Sequence, residues 1–182
     1  MYGMVNKALQ SMVIEAYGEE AWERIRTRAG VDVEVFISNE GYPDEVTFQL
    51  AGAASGVLEQ PLEDLLRAFG SYWVLKTARQ GYGELMAAGG RTLREFLLNL
   101  PNLHTRVGLI FPHLKPPQFS CSDVQATSLR LHYRSTREGL TPFVVGLVEG
   151  LGEMFETRVS VTPVAEAHGP GEDEFLISWT QA

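Results

Sequence analysis

The chain has 182 residues, of which 45% are hydrophobic and 21% are charged, so it can bury a sizeable core as one domain or as two tightly packed subdomains. Its formal net charge of -8, with no stripe of lysine and arginine, argues against nucleic acid as a partner. Neither a secretory signal nor a membrane span is recognisable, and the single cysteine excludes an internal disulfide and a cysteine-cluster zinc site, so we expect a soluble cytoplasmic protein.

Apolar residues recur at helical spacing along the first two-thirds of the chain. Glycines and prolines interrupt this pattern, and Thr92 with Glu95 forms a capping box. The predicted helices cover residues 4–17, 19–28, 44–55, 61–73 and 93–100, and the last continues towards Gly108 with a kink or a restart at Pro101.

Short strands are predicted after the proline-containing stretch 111–117. They cover residues 118–122, 128–135, 158–164 and 174–179, with a helix over 140–155 and an acidic loop over 165–173. Mostly helices followed by strands that pack with one helix indicate an α+β fold.

His104 is the one histidine of four whose position invites a functional interpretation. His113 lies in a proline-flanked loop, His132 on a solvated strand face and His168 in the acidic loop, so no special role is expected for them. His104 continues the apolar stripe of its helix and should point into the core. It fits either a hydrogen-bonded core histidine or a ligand. Zinc is excluded because no second ligand lies at suitable spacing, whereas one imidazole is sufficient for a haem iron.

The stretch LRLHYRSTREGL, residues 129–140, has an unusual strand face. Alternation places two leucines and then Tyr133, Ser135 and Arg137 on one side, while the alternate residues from Arg130 to Thr136 form an ordinary solvated face. Hydrogen-bond donors beside an apolar core match the edge of a haem, which is an apolar disc with two carboxylates. A strand end whose arginine pairs with a surface glutamate explains the pattern equally well.

Together these features resemble the H-NOX family, the haem nitric oxide/oxygen binding domains, which are similar to the haem domain of soluble guanylate cyclase. The YRSTR stretch is similar to the YxSxR propionate-binding signature of that family. The stretches MYGMVNKAL, GAASG, NLHTRVG, the PP pair and GLVEGLGEMF also resemble members of the family, particularly cyanobacterial-type stand-alone proteins. The likeness covers essentially the whole chain.

The resemblance implies a single H-NOX domain over residues 1–182. A helical distal subdomain would cover about 1–60, and a proximal subdomain over 61–182 would contain a four-stranded antiparallel sheet with packed helices, with haem b between the two. The implied axial ligand of the iron is His104. The implied propionate ligands are Tyr133, Ser135 and Arg137, and the other implied pocket residues are Pro117, which presses on the haem, and Val5, Leu9, Trp73, Phe143 and Leu147.

The resemblance also implies a gas sensor that binds NO and CO at a five-coordinate ferrous haem. In the family, NO binding weakens or breaks the iron–histidine bond, which would let the helix of His104 shift. Relatives that bind oxygen use a distal tyrosine as a hydrogen-bond donor. The matching position here is Phe143, whose side chain has no hydrogen-bond donor. The indole N–H of Trp73 could donate, but an indole on that face more often packs against its neighbours than binds a ligand. Oxygen is therefore expected to be excluded.

Two other classes of function, a haem enzyme and a storage or carrier protein, are alternatives to a sensor. The sequence offers no nucleophile–base pair for catalysis in general. A haem enzyme such as a peroxidase is disfavoured because the expected distal side offers no histidine–arginine pair. A binding module that only stores or carries a gas or another hydrophobic ligand is the other alternative. The chain ends soon after its last predicted strand, so we expect it to signal to a separate effector: a histidine kinase, a cyclic-di-GMP enzyme or another signalling protein.

Overall fold

The computed structural model of the protein describes residues 1–111, 115–164, 169 and 171–180, so His113 and His168 lie outside the described residues. The helices are α1 (Gly3–Tyr17), α2 (Glu19–Ala29), α3 (Asp44–Leu58), α4 (Leu62–Tyr72), α5 (Arg79–Gly81), α6 (Gly83–Ala87), α7 (Leu93–Ile110) and α8 (Thr141–Met154), and a π-helical stretch, Trp73–Ala78, separates α4 from α5. The strands are β1 (Gln118–Ser122), β2 (Ser128–Arg134), β3 (Val159–Pro163) and β4 (Glu172–Trp179). Among the described helices, none has the length and apolar character needed to cross a membrane.

The chain divides into two compact units, which are Met1–Phe69 and Gly70–Ala182. The boundary between the two ranges falls inside α4. The family resemblance implies a subdomain boundary at about residue 60, before this helix. The division into a distal and a proximal subdomain at about residue 60 stays a prediction. The α+β fold is confirmed, because helices come first and a four-stranded antiparallel sheet follows.

The first unit is a packed group of helices. Its helices α1, α2 and α3 contact one another. Their buried apolar residues include Ala8, Leu9, Val13, Ile25, Leu50 and Ala54, whereas Ala16 and Phe48 of the predicted stripes are exposed. Two polar side chains are buried with them: Thr47 Oγ1 donates to Asn6 Oδ1 at 2.6 Å. The start of α1 is capped by main chain, because the Gly3 amide donates to the Glu40 carbonyl at 2.8 Å.

The second unit is built on the sheet, whose strand order is β1-β2-β4-β3 with every pair antiparallel. Alternation places the apolar residues of β2 and β4 on one buried face. The residues of this face are Leu129, Leu131, Tyr133, Phe175, Ile177 and Trp179, and they belong to one core with residues of α7 and α8.

The opposite face of β2 holds a buried carboxylate from the neighbouring strand among its polar residues. Glu174 lies directly across from His132 and is buried, with Arg130 as its ion-pair partner and the His132 Nδ1 at 3.4 Å from its Oε2. The Nε2 of His132 contacts the Ser122 hydroxyl at 2.7 Å. Arg130 and His132 are nevertheless half-exposed and Arg134 is exposed, so the predicted solvated residues of β2 do reach solvent, and the buried exception is Glu174 of β4.

Strand β2 ends at Arg134, one residue earlier than predicted, so the alternation does not continue to Arg137. The Ser135 amide continues the pairing with β4 by one more hydrogen bond, to the Gly171 carbonyl at 2.8 Å, and the chain then bends at residues 136–137. Gly171 has φ +73°, and a Cβ there would strike the Ser135 carbonyl oxygen, so only glycine fits without strain.

Helix α7 begins as the capping pattern predicted. The Thr92 hydroxyl accepts the Glu95 amide at 3.2 Å, although the Glu95 carboxylate returns to the Arg91 amide at 2.8 Å rather than to that of Thr92. The helix passes Pro101 without a restart. A proline at this position cannot donate to the Leu97 carbonyl. The Cys121 thiol approaches that carbonyl instead, with Sγ at 3.6 Å.

Gly70 marks a close backbone crossing of α4 and α8. A Cβ at this buried position would lie 2.7 Å from the Leu147 nitrogen and closer still to the Phe143 carbonyl oxygen. Neither backbone atom can move without a shift of the helix. We therefore expect Gly70→Ala to lower the free energy of unfolding by about 1–3 kcal/mol, although alanine is the better helix former.

Gly52→Ala is the matched control for this substitution. Gly52 lies inside α3, and apart from the backbone of that helix no heavy atom lies within 4 Å of where a Cβ would be. Helix propensity alone predicts that the substitution raises stability by up to about 1 kcal/mol. Urea denaturation of both variants provides the measurement. Similar effects at the two sites would contradict the close crossing.

Candidate functional site

His104 presents one ring nitrogen to the main chain and leaves the other for a ligand. Its Nδ1 lies 2.9 Å from the Leu100 carbonyl oxygen, and since a carbonyl can only accept, Nδ1 carries the proton. Nε2 then holds a lone pair, and no hydrogen bond to it is found among the described residues. Burial lowers the pKa of His104, while the bond to Leu100 opposes this, so the imidazole is neutral at pH 7. This is the arrangement in which a histidine binds a metal.

Phe119 connects His104 to the strand that bears the predicted propionate ligands. Its ring centroid lies 4.8 Å from that of His104 and 5.3 Å from that of Tyr133. Phe119 and Tyr133 are register partners across β1 and β2. Sequence analysis missed this residue, although alternation along QFSCS would have indicated that its aromatic ring faces inward with Tyr133.

Tyr133, Ser135 and Arg137 lie together, although a turn rather than a strand face assembles them. The buried Tyr133 hydroxyl is hydrogen-bonded to the Ser135 hydroxyl, and Ser135 Oγ accepts the Arg137 amide at 3.1 Å. The Arg137 Nη1 donates to the Lys115 carbonyl at 3.1 Å. The cluster therefore brings a phenol, a hydroxyl and a guanidinium to the end of β2.

The ionisation of Tyr133 is set by its surroundings. Burial is the largest influence and raises its pKa, and the nearby Asp173 raises it further. The bond to Ser135 and the charge of Arg137 lower it, but the net shift is upward. The phenol therefore stays protonated at neutral pH and can donate a hydrogen bond to an anion.

The remaining predicted pocket residues are distributed over both units. Pro117 is half-buried before β1, and its neighbour Pro116 lies 3.9 Å from where a Cβ of Gly108 would be, one turn beyond His104 on α7. Trp73, Phe143 and Leu147 are half-buried in the second unit, where α8 meets the end of α4 at Gly70. The first unit contains Val5, which is half-buried, and Leu9, which is fully buried in α1. Their contact with a haem stays a prediction.

A haem fits the chemistry of these residues. Among the described residues, no group of three histidine, cysteine, aspartate or glutamate side chains is arranged to hold a bare metal ion. A lone neutral imidazole is sufficient when a macrocycle supplies the other ligands. The cluster at the end of β2 supplies donors for carboxylates, and Phe119 supplies an apolar surface between the cluster and His104.

Comparisons with known proteins agree with this chemistry. The sequence model of the Haem-NO-binding family matches residues 2–163. The soluble guanylate cyclase gcy-35 of Caenorhabditis elegans is 31% identical over 97% of this chain and 26% of its own length. The soluble guanylate cyclase gcy-31 of the same organism is 30% identical over 88% of this chain and 23% of its own length. The chain thus spans about a quarter of the length of these relatives.

Solved structures show the same fold. An unliganded Fe(II) H-NOX protein from K. algicida has a TM-score of 0.87 at 23% identity, covering 100% of this chain and 98% of that chain. An H-NOX protein from S. oneidensis in the Fe(II)NO ligation state also has a TM-score of 0.87, at 18% identity, with 100% of both chains covered. The chain therefore belongs to the Haem-NO-binding, or H-NOX, family, whose domain binds haem and is a sensor fold rather than a catalytic one.

Proposed function

We propose that the chain is a haem-based gas sensor that binds NO and CO, with haem b as its cofactor. His104 is the axial ligand of the iron, and Tyr133, Ser135 and Arg137 bind the propionates. The observation that carries the proposal is the state of His104: a neutral imidazole whose Nδ1 is engaged by Leu100 and whose Nε2 is left for a metal. When bound, the haem would supply a ferrous iron with one open position for a diatomic gas.

The Leu100 carbonyl has two effects on His104. It selects the tautomer in which Nε2 is the acceptor, and it orients the ring relative to the axis of α7. Because this hydrogen bond joins residues one turn apart on the same helix, a change in what Nε2 binds is transmitted to the helix itself. A sensor requires coupling of this kind, and the effector experiment below separates a sensor from a passive gas carrier.

The proposed selectivity for NO and CO over oxygen rests on the side chain of Phe143. Bound oxygen carries partial negative charge and is held better by a distal hydrogen-bond donor, whereas NO and CO depend far less on one. The side chain of phenylalanine cannot donate a hydrogen bond. One hydrogen bond contributes about 1 kcal/mol net, and more in a dry pocket, so its absence lowers oxygen affinity by roughly tenfold or more.

Absorption spectra of the reduced, haem-loaded protein test this proposal. We expect the Soret band to shift on addition of NO and of CO, and air to give no stable oxygen-dependent spectrum. Phe143→Tyr should begin to confer oxygen binding, with Phe143→Leu as the control that adds no donor. A protein that takes up no hemin would refute the haem assignment, and stable oxygen binding by the unmodified protein would refute the selectivity and indicate Trp73 as the donor.

We also propose that the chain is cytoplasmic and signals to a separate effector protein. The candidates are a histidine kinase, a cyclic-di-GMP enzyme or another signalling effector, and the relatives named as soluble guanylate cyclases are about four times as long as this chain. Adding the NO-loaded or the unliganded protein to a purified effector would separate a sensor from a store. Effector activity that is unchanged by NO would support the store.

A further inference from the structure

The loop that carries Arg137, residues 135–141, is held at both ends by residues 171–173, which comprise Gly171 and the first two residues of β4. At the first end, the Ser135 amide donates to the Gly171 carbonyl at 2.8 Å. At the second end, the Thr141 hydroxyl donates to Asp173 Oδ1 at 2.8 Å. Residues 171–173 therefore fix both the exit from β2 and the entry into α8, with Arg137 between them.

Asp173 is also placed to act on Tyr133. The two residues are register partners on neighbouring strands, so their side chains extend from the same face of the sheet. Through its bond to Thr141, the Asp173 side chain joins this end of the sheet to the first turn of α8. A loss of that bond would free one end of the Arg137 loop while leaving the strand pairing intact.

The start of α8 depends on this contact because its own sequence supplies no cap. The N-cap residue is Leu140, which makes no side-chain cap hydrogen bond, and the first turn contains no acidic residue. A carboxylate near a helix N-terminus is favourable for the exposed amides and for the helix dipole. Asp173, which lies on β4, supplies a carboxylate next to the first turn of α8.

We propose that Asp173 is a positioning residue of the propionate site, which holds the Arg137 loop in place through its hydrogen bond with Thr141. The inference rests on the proposed role of Tyr133, Ser135 and Arg137 as propionate ligands. Asp173 acts through these residues and does not itself bind the propionates, because a carboxylate would repel another anion.

The test compares the dissociation of haem with that of haem dimethyl ester, whose propionates are uncharged, into an excess of apo-myoglobin. The unmodified protein should release the ester faster than haem, and the ratio of the two rates measures the contribution of the propionate site. Asp173→Ala should speed the release of haem by about tenfold, the effect of losing one hydrogen bond to a charged group, and should reduce this ratio towards one. A purely structural loss of stability would speed the release of both haems equally and leave the ratio unchanged.

Conservative variants separate the hydrogen bond from the charge. Asp173→Asn keeps an oxygen that accepts from Thr141, and Thr141→Ser keeps the donor, so both should retain the ratio of the unmodified protein. Thr141→Val should reproduce the effect of Asp173→Ala and keeps the test valid if the alanine variant folds poorly. Glu172→Ala is the control, because Glu172 pairs with Arg134 at 2.9 Å and should leave the ratio unchanged.

Arg137→Ala, measured in parallel, distinguishes the two ways in which the inference can fail. If Arg137→Ala reduces the ratio but Asp173→Ala and Thr141→Val do not, Asp173 has no positioning role and only this inference is overturned. If Arg137→Ala also leaves the ratio unchanged, the propionate site itself is wrong, and the inference is overturned with it.

Discussion

Replacing His104 with glycine is expected to give a protein that loses its haem or holds it weakly, and that recovers haem binding when free imidazole is supplied. The substitution removes the only side chain proposed to bind the iron. Because the Nδ1 bond of His104 is to the Leu100 carbonyl of its own helix, its loss leaves an acceptor that an added imidazole can use again. Glycine inside α7 also costs about 1 kcal/mol of stability, so recovery by imidazole, rather than haem loss alone, is the diagnostic result.

Absorption spectra of the reduced protein, with and without imidazole, measure this effect. His132→Gly is the control, since His132 contacts Ser122 and Glu174 on the other face of the sheet and should leave the spectrum unchanged. His113→Gly and His168→Gly are expected to behave as His132→Gly does. An unaltered five-coordinate ferrous spectrum of His104→Gly in the absence of imidazole would show that His104 does not bind the iron.

Arg137→Ala is expected to have the second largest effect, as a marked acceleration of haem loss. The substitution leaves a propionate without its cationic partner. Breaking a buried pair of this kind costs about 2–5 kcal/mol, and because Arg137 is only half-buried the lower end is expected, which corresponds to roughly 30-fold faster dissociation. The loss of its bond to the Lys115 carbonyl adds to the effect.

Transfer of haem to apo-myoglobin measures the rate, and Arg134→Ala is the matched control. Arg134 is exposed on the opposite side of β2, where it pairs with Glu172 at 2.9 Å. Exposed pairs contribute little, so its replacement should change the rate of haem loss only slightly. Equal effects from the two arginines would refute the assignment of Arg137 to the propionate site.

The local pattern of the sequence was sufficient to predict most elements and the class of the fold. Apolar spacing, capping residues and turn residues act over a few positions, and they placed β1 at the same residues as the structure and most helix ends within a few residues. The predicted helix ends at residue 73, so the π-helical stretch Trp73–Ala78 and the short helices α5 and α6 were not predicted.

The candidate site was predicted in its residues but not in how they come together. Alternation indicated that Tyr133, Ser135 and Arg137 extend from one strand face, yet β2 ends at Arg134 and a turn assembles the last two. The opposite face was predicted to be solvated, yet Glu174 is buried against Arg130 and His132. The turn is a local contact between residues two apart, whereas the burial of Glu174 follows from the register of β4 with β2, which is a long-range property that a single strand does not encode.

The sequence by itself determined that His104 lies on a helix among apolar neighbours and that donors follow the leucines of β2, because helix and strand periods act within one element. The tertiary structure decided which nitrogen of His104 is engaged, that Phe119 lies between His104 and Tyr133, and that residues 171–173 hold the Arg137 loop at both ends. The last two depend on contacts between elements distant in sequence. The first depends on whether the Leu100 carbonyl, next to Pro101, is within reach of the ring, which only the backbone geometry of α7 specifies.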